Sequence, residues 1–177
     1  LTQGALYVEA VSREDFESDI IDEEITDNRV FRHRAELYRR GLREGAIELF
    51  EQGRMREVIA PNVALAFHPP NAAKADLVQA YLDFVLDAGP DHLVRQNRAV
   101  IHRPDARVHL PQVACPALVV CGAADRLTPP ECSAEIAALV PAAEHYLLPD
   151  SGHMLTMEQP EVVTRLLVQW LARNGWI

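Results

Sequence analysis

The sequence predicts an α/β fold, in which helices cover a sheet of parallel strands. Three observations lead to this prediction. The run PALVVCG, Pro116–Gly122, is continuously apolar and rich in valine, which is typical of a strand buried on both faces of a parallel sheet. The residues after it alternate helix and strand patterns, as layered α/β folds do. The residues before it, from Arg29 to Arg103, repeat apolar side chains at helical spacing.

Composition and charge restrict the class of protein. The 177 residues are enough for one domain with a buried core. The net charge is −9 and the 17 lysines and arginines are scattered, so we expect neither nucleic acid nor a membrane as a partner. No apolar run approaches the roughly 20 residues that cross a bilayer. The first residues also lack the features of a signal peptide, which predicts a cytoplasmic protein.

The three cysteines, Cys115, Cys121 and Cys132, form neither an even set nor a C-x-x-C pair. This spacing argues against a disulfide framework and against a structural zinc site. We therefore expect reduced thiols, no metal and no cofactor. Cys121 is expected in the core, and Cys132 lacks a basic neighbour that would make it a thiolate nucleophile.

The first elements are a short strand, an acidic connection and a long helix. ALYVEAV, Ala5–Val11, is short and apolar and predicts a buried strand. Residues 13–28 carry eight acidic and, after Arg13, no basic side chains, which is typical of a solvated linker. Helical spacing follows over Arg29–Met55. Because Gly41 and Gly45 each weaken a helix by about 1 kcal/mol, we expect a break or a close helix contact near them.

Two further helices follow a segment rich in proline. The prolines of PNVALAFHPPN, Pro61–Asn71, predict a loop. Apolar pairs over Leu77–Leu86 then predict a second helix. A third helix begins near Asp91 and ends before Pro104. The predicted organisation is therefore a helical region over residues 29–104.

The second half of the chain continues from the apolar strand. A helix with proline at its start is predicted over Pro129–Pro141, and EHYLLP, Glu144–Pro149, predicts another short strand. The last helix, Pro160–Gly175, places its apolar residues on one face. Residues 105–177 are thus expected to form the α/β part.

Two loops carry the side chains with the greatest chemical interest. Ligands and catalytic groups gather at the carboxyl ends of strands in open parallel sheets. There the loop after Gly122 carries Asp125, and the loop after Leu148 carries His153. A carboxylate beside an imidazole fixes the ring and stabilises its protonated form. Alternatively, Asp125 only caps the following helix, or Asp150 is the acid.

Together the two loops resemble the carboxyl-terminal end of α/β-hydrolase-fold proteins of the carboxylesterase and haloperoxidase-like branch. The similar motifs are P-x-L-V-x-x-G-x-x-D-x-x-x-P, read here in PALVVCGAADRLTP, and G-H-x-x-x-x-E-x-P, read in GHMLTMEQP. They are 28 residues apart, counted from acid to base, within a resemblance that covers Cys115–Leu171. The resemblance implies that Asp125 is the acid and His153 the general base of a catalytic triad.

The resemblance also implies an arrangement of the whole chain. It suggests the carboxyl-terminal part of an α/β-hydrolase sheet, with about three parallel strands and flanking helices, plus a helical cap. The expected regions are a core strand in residues 1–12, an acidic linker in residues 13–28, the cap in residues 29–104 and the hydrolase core in residues 105–177.

A nucleophile is the part of the triad that the sequence lacks. The family's G-x-S-x-G turn does not occur, and the only serines are Ser12, Ser18, Ser133 and Ser151. We therefore expect that the nucleophile lies in a missing amino-terminal half, or in another chain, and that this chain alone is inactive.

The expected function is that of a serine hydrolase of carboxylic esters or similar small acyl compounds. Alternatives within the fold are a dehalogenase and a carbon–carbon hydrolase; outside it, the alternative is a non-catalytic binding protein. Phe67, Tyr81 and Phe84 are candidates for the apolar wall of a substrate pocket, although aromatic residues on a helix face more often belong to a core.

Overall fold

The computed structural model describes residues 28–177, with side chains from Arg40 onward. The predicted strand Ala5–Val11 and the acidic linker lie outside the described residues. The α-helices are α1 (Asn28–Glu51), α2 (Met55–Ile59), α3 (Val63–Ala66), α4 (Pro69–Ala72), α5 (Ala75–Asp87), α6 (Pro90–Ile101), α7 (Pro130–Leu139), α8 (Leu155–Glu158) and α9 (Pro160–Arg173). The strands are β1 (Ala117–Gly122) and β2 (Ala143–Leu148). This part of the chain is mostly helical, with a parallel sheet of two strands.

The chain divides into two compact units and passes between them three times, after Asn62, within α5 after Tyr81, and after Arg103. In the first unit α1 packs against α6. The buried apolar side chains of this unit are Ala46, Ile47, Phe50, Val58, Ile59, Leu82, Val85, Leu93 and Val94. A polar contact adds to this packing, since Arg43 Nη1 donates to Oδ1 of the buried Asn97 at 3.3 Å. The domain boundaries that the sequence suggests stay predictions.

The long helix corrects one expectation from the sequence. Helix α1 runs through Gly41 and Gly45 without a break, and a Cβ atom at either glycine would meet open space among the described residues. The break that was expected there is therefore wrong, whereas a helix contact does occur near the glycines, because Arg43 between them binds Asn97 of α6. The burial of Ala46 and Phe50 on the core side of the same helix outweighs the cost of about 1 kcal/mol for each glycine.

The segment Pro61–Asn71 corrects a second expectation, because it is helical and not an open loop. It contains part of a 3₁₀ turn at Ala60–Asn62, the short helix α3 and most of α4. Its prolines occupy first-turn positions, where the missing backbone N–H costs no hydrogen bond. Proline here starts short helices and does not prevent them.

The sheet of the second unit is a parallel pair joined by a helix. Ala117 pairs with Ala143 and Gly122 with Leu148, and α7 between the two strands packs against both. Burial of β1 is complete only at Cys121 and Gly122, whereas the four residues before them are half-buried. The expected burial along the whole strand therefore holds only at its carboxyl end, since among the described residues β1 has one neighbouring strand.

The last helix, α9, agrees with its predicted range and is amphipathic. Val163 and Trp170 are buried, and Trp176 beyond the helix packs edge-on against Trp170 with ring centroids 5.5 Å apart. Leu167, expected on the buried face, is 44% exposed. Within residues 28–177 no helix is both long and apolar enough to cross a membrane.

Candidate active site

The carboxyl ends of the two strands approach each other so closely that only glycine fits there. A Cβ atom at Gly122 would lie 2.2 Å from the carbonyl oxygen of Gly152 and 2.4 Å from that of Ser151. Backbone bonds join the same loops, since Ala123 N–H donates to Leu148 O and Ala124 N–H to Ser151 O, both at 2.8 Å. The loop after β1 and the loop after β2 are therefore held as one unit.

Asp125 lies in the first of these loops and uses both carboxylate oxygens. Oδ1 accepts the backbone N–H groups of Leu127 and Thr128, each at 2.9 Å. Oδ2 accepts the hydroxyl of Thr128 at 2.9 Å. This pattern is an Asx turn, in which the side chain accepts hydrogen bonds from the backbone N–H groups that follow it. These bonds within the first loop orient the carboxylate independently of its contact with the second loop.

His153 in the second loop meets this carboxylate. Its Nδ1 lies 2.9 Å from Oδ2 of Asp125, with side-chain exposures of 18% for the histidine and 4% for the aspartate. Because an ionised carboxylate only accepts hydrogen bonds, Nδ1 carries the hydrogen when the ring is neutral. Nε2 then holds the lone pair, so the ring can take a proton at that atom.

The charge on Asp125 is favoured by its contacts. Burial acts to raise the pKa of Asp125, but the hydrogen bonds from His153 and Thr128 together outweigh it, so the pKa lies below its ordinary range. A carboxylate with a lowered pKa in the folded state stabilises the fold above the pKa of the unfolded chain, about 3.9. That stabilisation is lost as the pH falls through the folded-state value.

Asp125→Asn is expected to lower the free energy of unfolding at pH 6 by about 2 kcal/mol, because a charged hydrogen bond to His153 is lost. The difference from the wild type should begin to shrink below about pH 4, where the carboxyl group of the unfolded chain takes up protons, and shrink further as the pH falls through the lower folded-state pKa of Asp125. Urea unfolding followed between pH 3 and pH 6 measures both effects. Asp150→Asn is the control, since it changes an exposed aspartate of the neighbouring loop. A difference that stays constant over this pH range would contradict the assignment.

The geometry bears on the two alternatives, that Asp125 only caps the following helix and that Asp150 is the acid. Asp125 satisfies backbone N–H groups and also binds His153, so the capping role and the imidazole contact occur together. Asp150 adopts a positive φ of 55°, which aspartate tolerates, and its carbonyl oxygen accepts from Asn71 Nδ2 at 3.3 Å. Within the described residues the hydrogen bonds of the His153 ring go to Asp125 and Thr128.

Thr128 is a member of the site that the sequence reading did not identify. Its Oγ1 lies 2.9 Å from Asp125 Oδ2 and 3.2 Å from His153 Nδ1, so one hydroxyl faces both groups. The signal was present as D-x-x-T, a spacing at which an aspartate turn commonly closes.

Two of the three predicted pocket aromatics lie together. The rings of Phe67 and Tyr81 meet edge to face, with centroids 5.4 Å apart, and both residues are buried. Burial raises the pKa of Tyr81 to about 12. Phe67 also adjoins the histidine loop, because a Cβ atom at Gly152 would lie 2.7 Å from its carbonyl carbon. Phe84 belongs to the first unit and is 55% exposed.

A second serine and histidine pair lies elsewhere in the unit. Ser133 Oγ is 2.8 Å from the carbonyl oxygen of Pro130 and 2.9 Å from His145 Nε2. A carbonyl can only accept, so the hydroxyl hydrogen goes to Pro130 and His145 donates to Ser133. In this arrangement His145 does not act as a base toward Ser133.

The cysteines follow the sequence prediction in one respect. Cys121 is buried, as expected, and burial raises the pKa of its thiol, which disfavours the reactive thiolate. Cys115 and Cys132 are exposed free thiols. In the part of the chain that the structure describes, no three His, Cys, Asp or Glu side chains are grouped so that they could hold a metal ion.

Comparison with known proteins identifies the family of the chain. The model of the "Alpha/beta hydrolase family" matches residues 3–166. "Putative carbamate hydrolase RutD" of Escherichia coli (strain K12 / DH10B) is 32% identical over 84 residues, which are 48% of this chain and 31% of that protein.

Solved structures of esterases are similar to the described fold. An esterase from Thermogutta terrifontis is 26% identical with a TM-score of 0.67, and the match covers 75% of this chain and 50% of that one. The esterase EaEST from Exiguobacterium antarcticum is 20% identical with a TM-score of 0.66, and the match covers 75% of this chain and 48% of that one. The chain thus spans about half the length of these esterases and about a third of the curated relative.

Proposed function

Because this chain belongs to the alpha/beta hydrolase family, we propose that it carries the acid and the base of a serine hydrolase. The proposed substrates are carboxylic esters or similar small acyl compounds. The proposal is supported by the names of the similar structures, two of which are esterases. The observation that carries it is the contact of 2.9 Å between Asp125 Oδ2 and His153 Nδ1 at the ends of two adjacent parallel strands.

In the proposed mechanism His153 transfers protons through Nε2. It takes the proton of a serine hydroxyl as that oxygen attacks the substrate carbonyl, and it gives the proton to the leaving alcohol, which leaves an acyl-serine. It then takes a proton from the water that attacks the acyl-serine and returns it to the serine oxygen as the carboxylic acid leaves. Asp125 keeps the hydrogen of His153 on Nδ1 and stabilises the imidazolium that forms during the attack. Thr128, which donates to the same carboxylate oxygen, holds that oxygen in line with the ring.

The nucleophile is proposed to lie outside these 177 residues, either in the same protein or in a second chain. Two observations support this. The sequence contains no G-x-S-x-G turn, and the chain spans half the length of the similar Thermogutta terrifontis esterase. The donors that stabilise the oxyanion are proposed to come from the same outside segment.

Phe67 and Tyr81 are proposed to support the histidine loop from within the core. The support is their burial, with 0% and 2% of their surface exposed, their mutual packing, and the closeness of the Phe67 backbone to Gly152, the residue before His153. The apolar pocket wall that the sequence suggests for Phe67, Tyr81 and Phe84 stays a prediction.

A second candidate is a non-catalytic binding protein that retains the acid and base. The absence of the nucleophile turn from this sequence is the observation that favours it. The two candidates differ in one property, because only a serine hydrolase presents an activated hydroxyl.

Labelling by a fluorophosphonate probe, which reacts with an activated serine, distinguishes a serine hydrolase from a binding protein. The protein made from the complete gene is expected to be labelled on one serine, and labelling should disappear after heat denaturation. The 177-residue chain alone should stay unlabelled. Labelling of Ser133 or Ser151 in that chain would contradict a nucleophile outside it, and an unlabelled complete protein would favour the binding candidate.

A further inference from the structure

Glu158 receives three hydrogen bonds from three different donors. Its Oε1 accepts the backbone N–H of Gly152 at 2.8 Å. Its Oε2 accepts the backbone N–H of His68 at 2.9 Å and the side-chain amide of Asn71 at 2.8 Å. The carboxylate therefore joins the loop of His153 to the segment that begins α4.

The backbone on both sides of His153 is attached to this one segment. Before it, Gly152 is attached through Glu158 to His68 and Asn71. After it, Met154 N–H donates directly to Ala66 O at 3.0 Å. Residues 66–71 thus hold the loop backbone on both sides of the imidazole.

The chemistry at this point requires a carboxylate. All three partners are N–H donors, and a carboxylate offers acceptors on both oxygens. A glutamine has one acceptor oxygen and one NH₂ group, so in either orientation at least one donor would face another donor. A buried N–H left in this way is costly, and the loop would be expected to move to satisfy it.

We propose that Glu158 is a positioning residue of the hydrolytic site. It fixes the backbone of the His153 loop, so that Nε2 of the imidazole is held in the position from which it activates the nucleophile. This inference rests on the proposed function, since a fixed imidazole matters for catalysis only where that ring transfers protons. Glu158 itself takes no proton in the reaction.

Glu158→Gln in the protein made from the complete gene tests the inference. With p-nitrophenyl butyrate as substrate, kcat is expected to fall by about 10- to 100-fold while KM changes by less than about threefold, because the base is displaced while no group proposed to bind the substrate is changed. A second readout is the NMR resonance of the His153 Nδ1 proton, which should broaden or disappear as the ring becomes mobile.

Gln159→Leu is the matched control, because it removes the hydrogen bond of 2.6 Å from Gln159 Nε2 to Pro149 O in the same loop but leaves Gly152 bound to Glu158. We expect kcat within twofold of wild type and an unchanged resonance. Equal losses in both variants, or wild-type kcat and resonance in Glu158→Gln, would overturn the inference.

Asn71→Ala is the second variant in case Glu158→Gln does not fold. It removes one of the three donors and should lower kcat a few-fold without raising KM; an unchanged kcat would overturn the inference. If the wild type hydrolyses no ester, the proposed function fails, but the resonance still decides whether Glu158 positions His153.

Discussion

His153→Ala is expected to lower kcat/KM for short-chain esters by about 10⁴-fold or more in the protein made from the complete gene. The reason is that the imidazole is proposed to act as base and then as acid in both halves of each turnover, the acylation of the serine and the hydrolysis of the acyl-serine. In this mechanism Asp125 acts only through the imidazole and does not contact the reacting atoms, so it does not replace His153. Initial rates at several substrate concentrations, with folding checked by circular dichroism, give the measurement.

His145→Ala is the matched control for this prediction. It removes the same kind of side chain from β2, where His145 binds Ser133 and is proposed to have no part in the reaction. Its kcat/KM should stay within about threefold of the wild-type value. A His153→Ala variant that turned over ester at the rate of the control would exclude His153 as the general base.

Gly122→Ala is expected to lower the free energy of unfolding by about 3 kcal/mol, at the upper end of the range for overpacked sites. The added methyl group would lie 2.2 Å from Gly152 O and 2.4 Å from Ser151 O, which are backbone atoms and cannot turn aside as a side chain would. The two loops must therefore separate. Because they carry Asp125 and His153, activity should fall together with stability. Urea unfolding measures the first effect and ester hydrolysis the second.

Gly41→Ala provides the contrast, since the same methyl group on helix α1 would meet no other atom of the described residues within 4 Å. Replacing a glycine within a helix by alanine should raise the free energy of unfolding by about 0.5 to 1 kcal/mol. A Gly122→Ala variant as stable as the wild type would show that the strand ends are not as tightly joined as the structure indicates.

The elements with strong periodicity were predictable from the sequence. The two strands from Ala117 and from Ala143, and the helices α5, α6, α7 and α9, lie where apolar spacing and flanking proline or glycine predict them. The membership of the family, inferred from the two loop motifs, is confirmed by the match over residues 3–166. The errors came from local propensity. The prolines of Pro61–Asn71 and the glycines of α1 were interpreted from the intrinsic propensity of each residue type. The packing around these residues determines whether the backbone is helical.

The site was predictable only in part. Asp125 and His153 could be singled out because each follows a strand, and the parallel pairing brings them within 2.9 Å. Their catalytic roles stay predictions. The place of Glu158 within a motif was visible in the sequence, but its proposed positioning role was not. Two of its three hydrogen-bond donors, His68 and Asn71, lie 90 and 87 residues away, and two of the three donors are backbone N–H groups. No spacing rule reaches that far along a chain.

These sequence separations also determine the order in which the site can assemble during folding. Asp125 and His153 are 28 residues apart and close together once one strand–helix–strand unit has formed. The bonds from His68 and Asn71 to Glu158 close loops of 90 and 87 residues, which cost more chain entropy and form later. We therefore expect the contacts of Glu158 to form after the acid–base pair as the chain folds, so that the pair exists before its position is fixed.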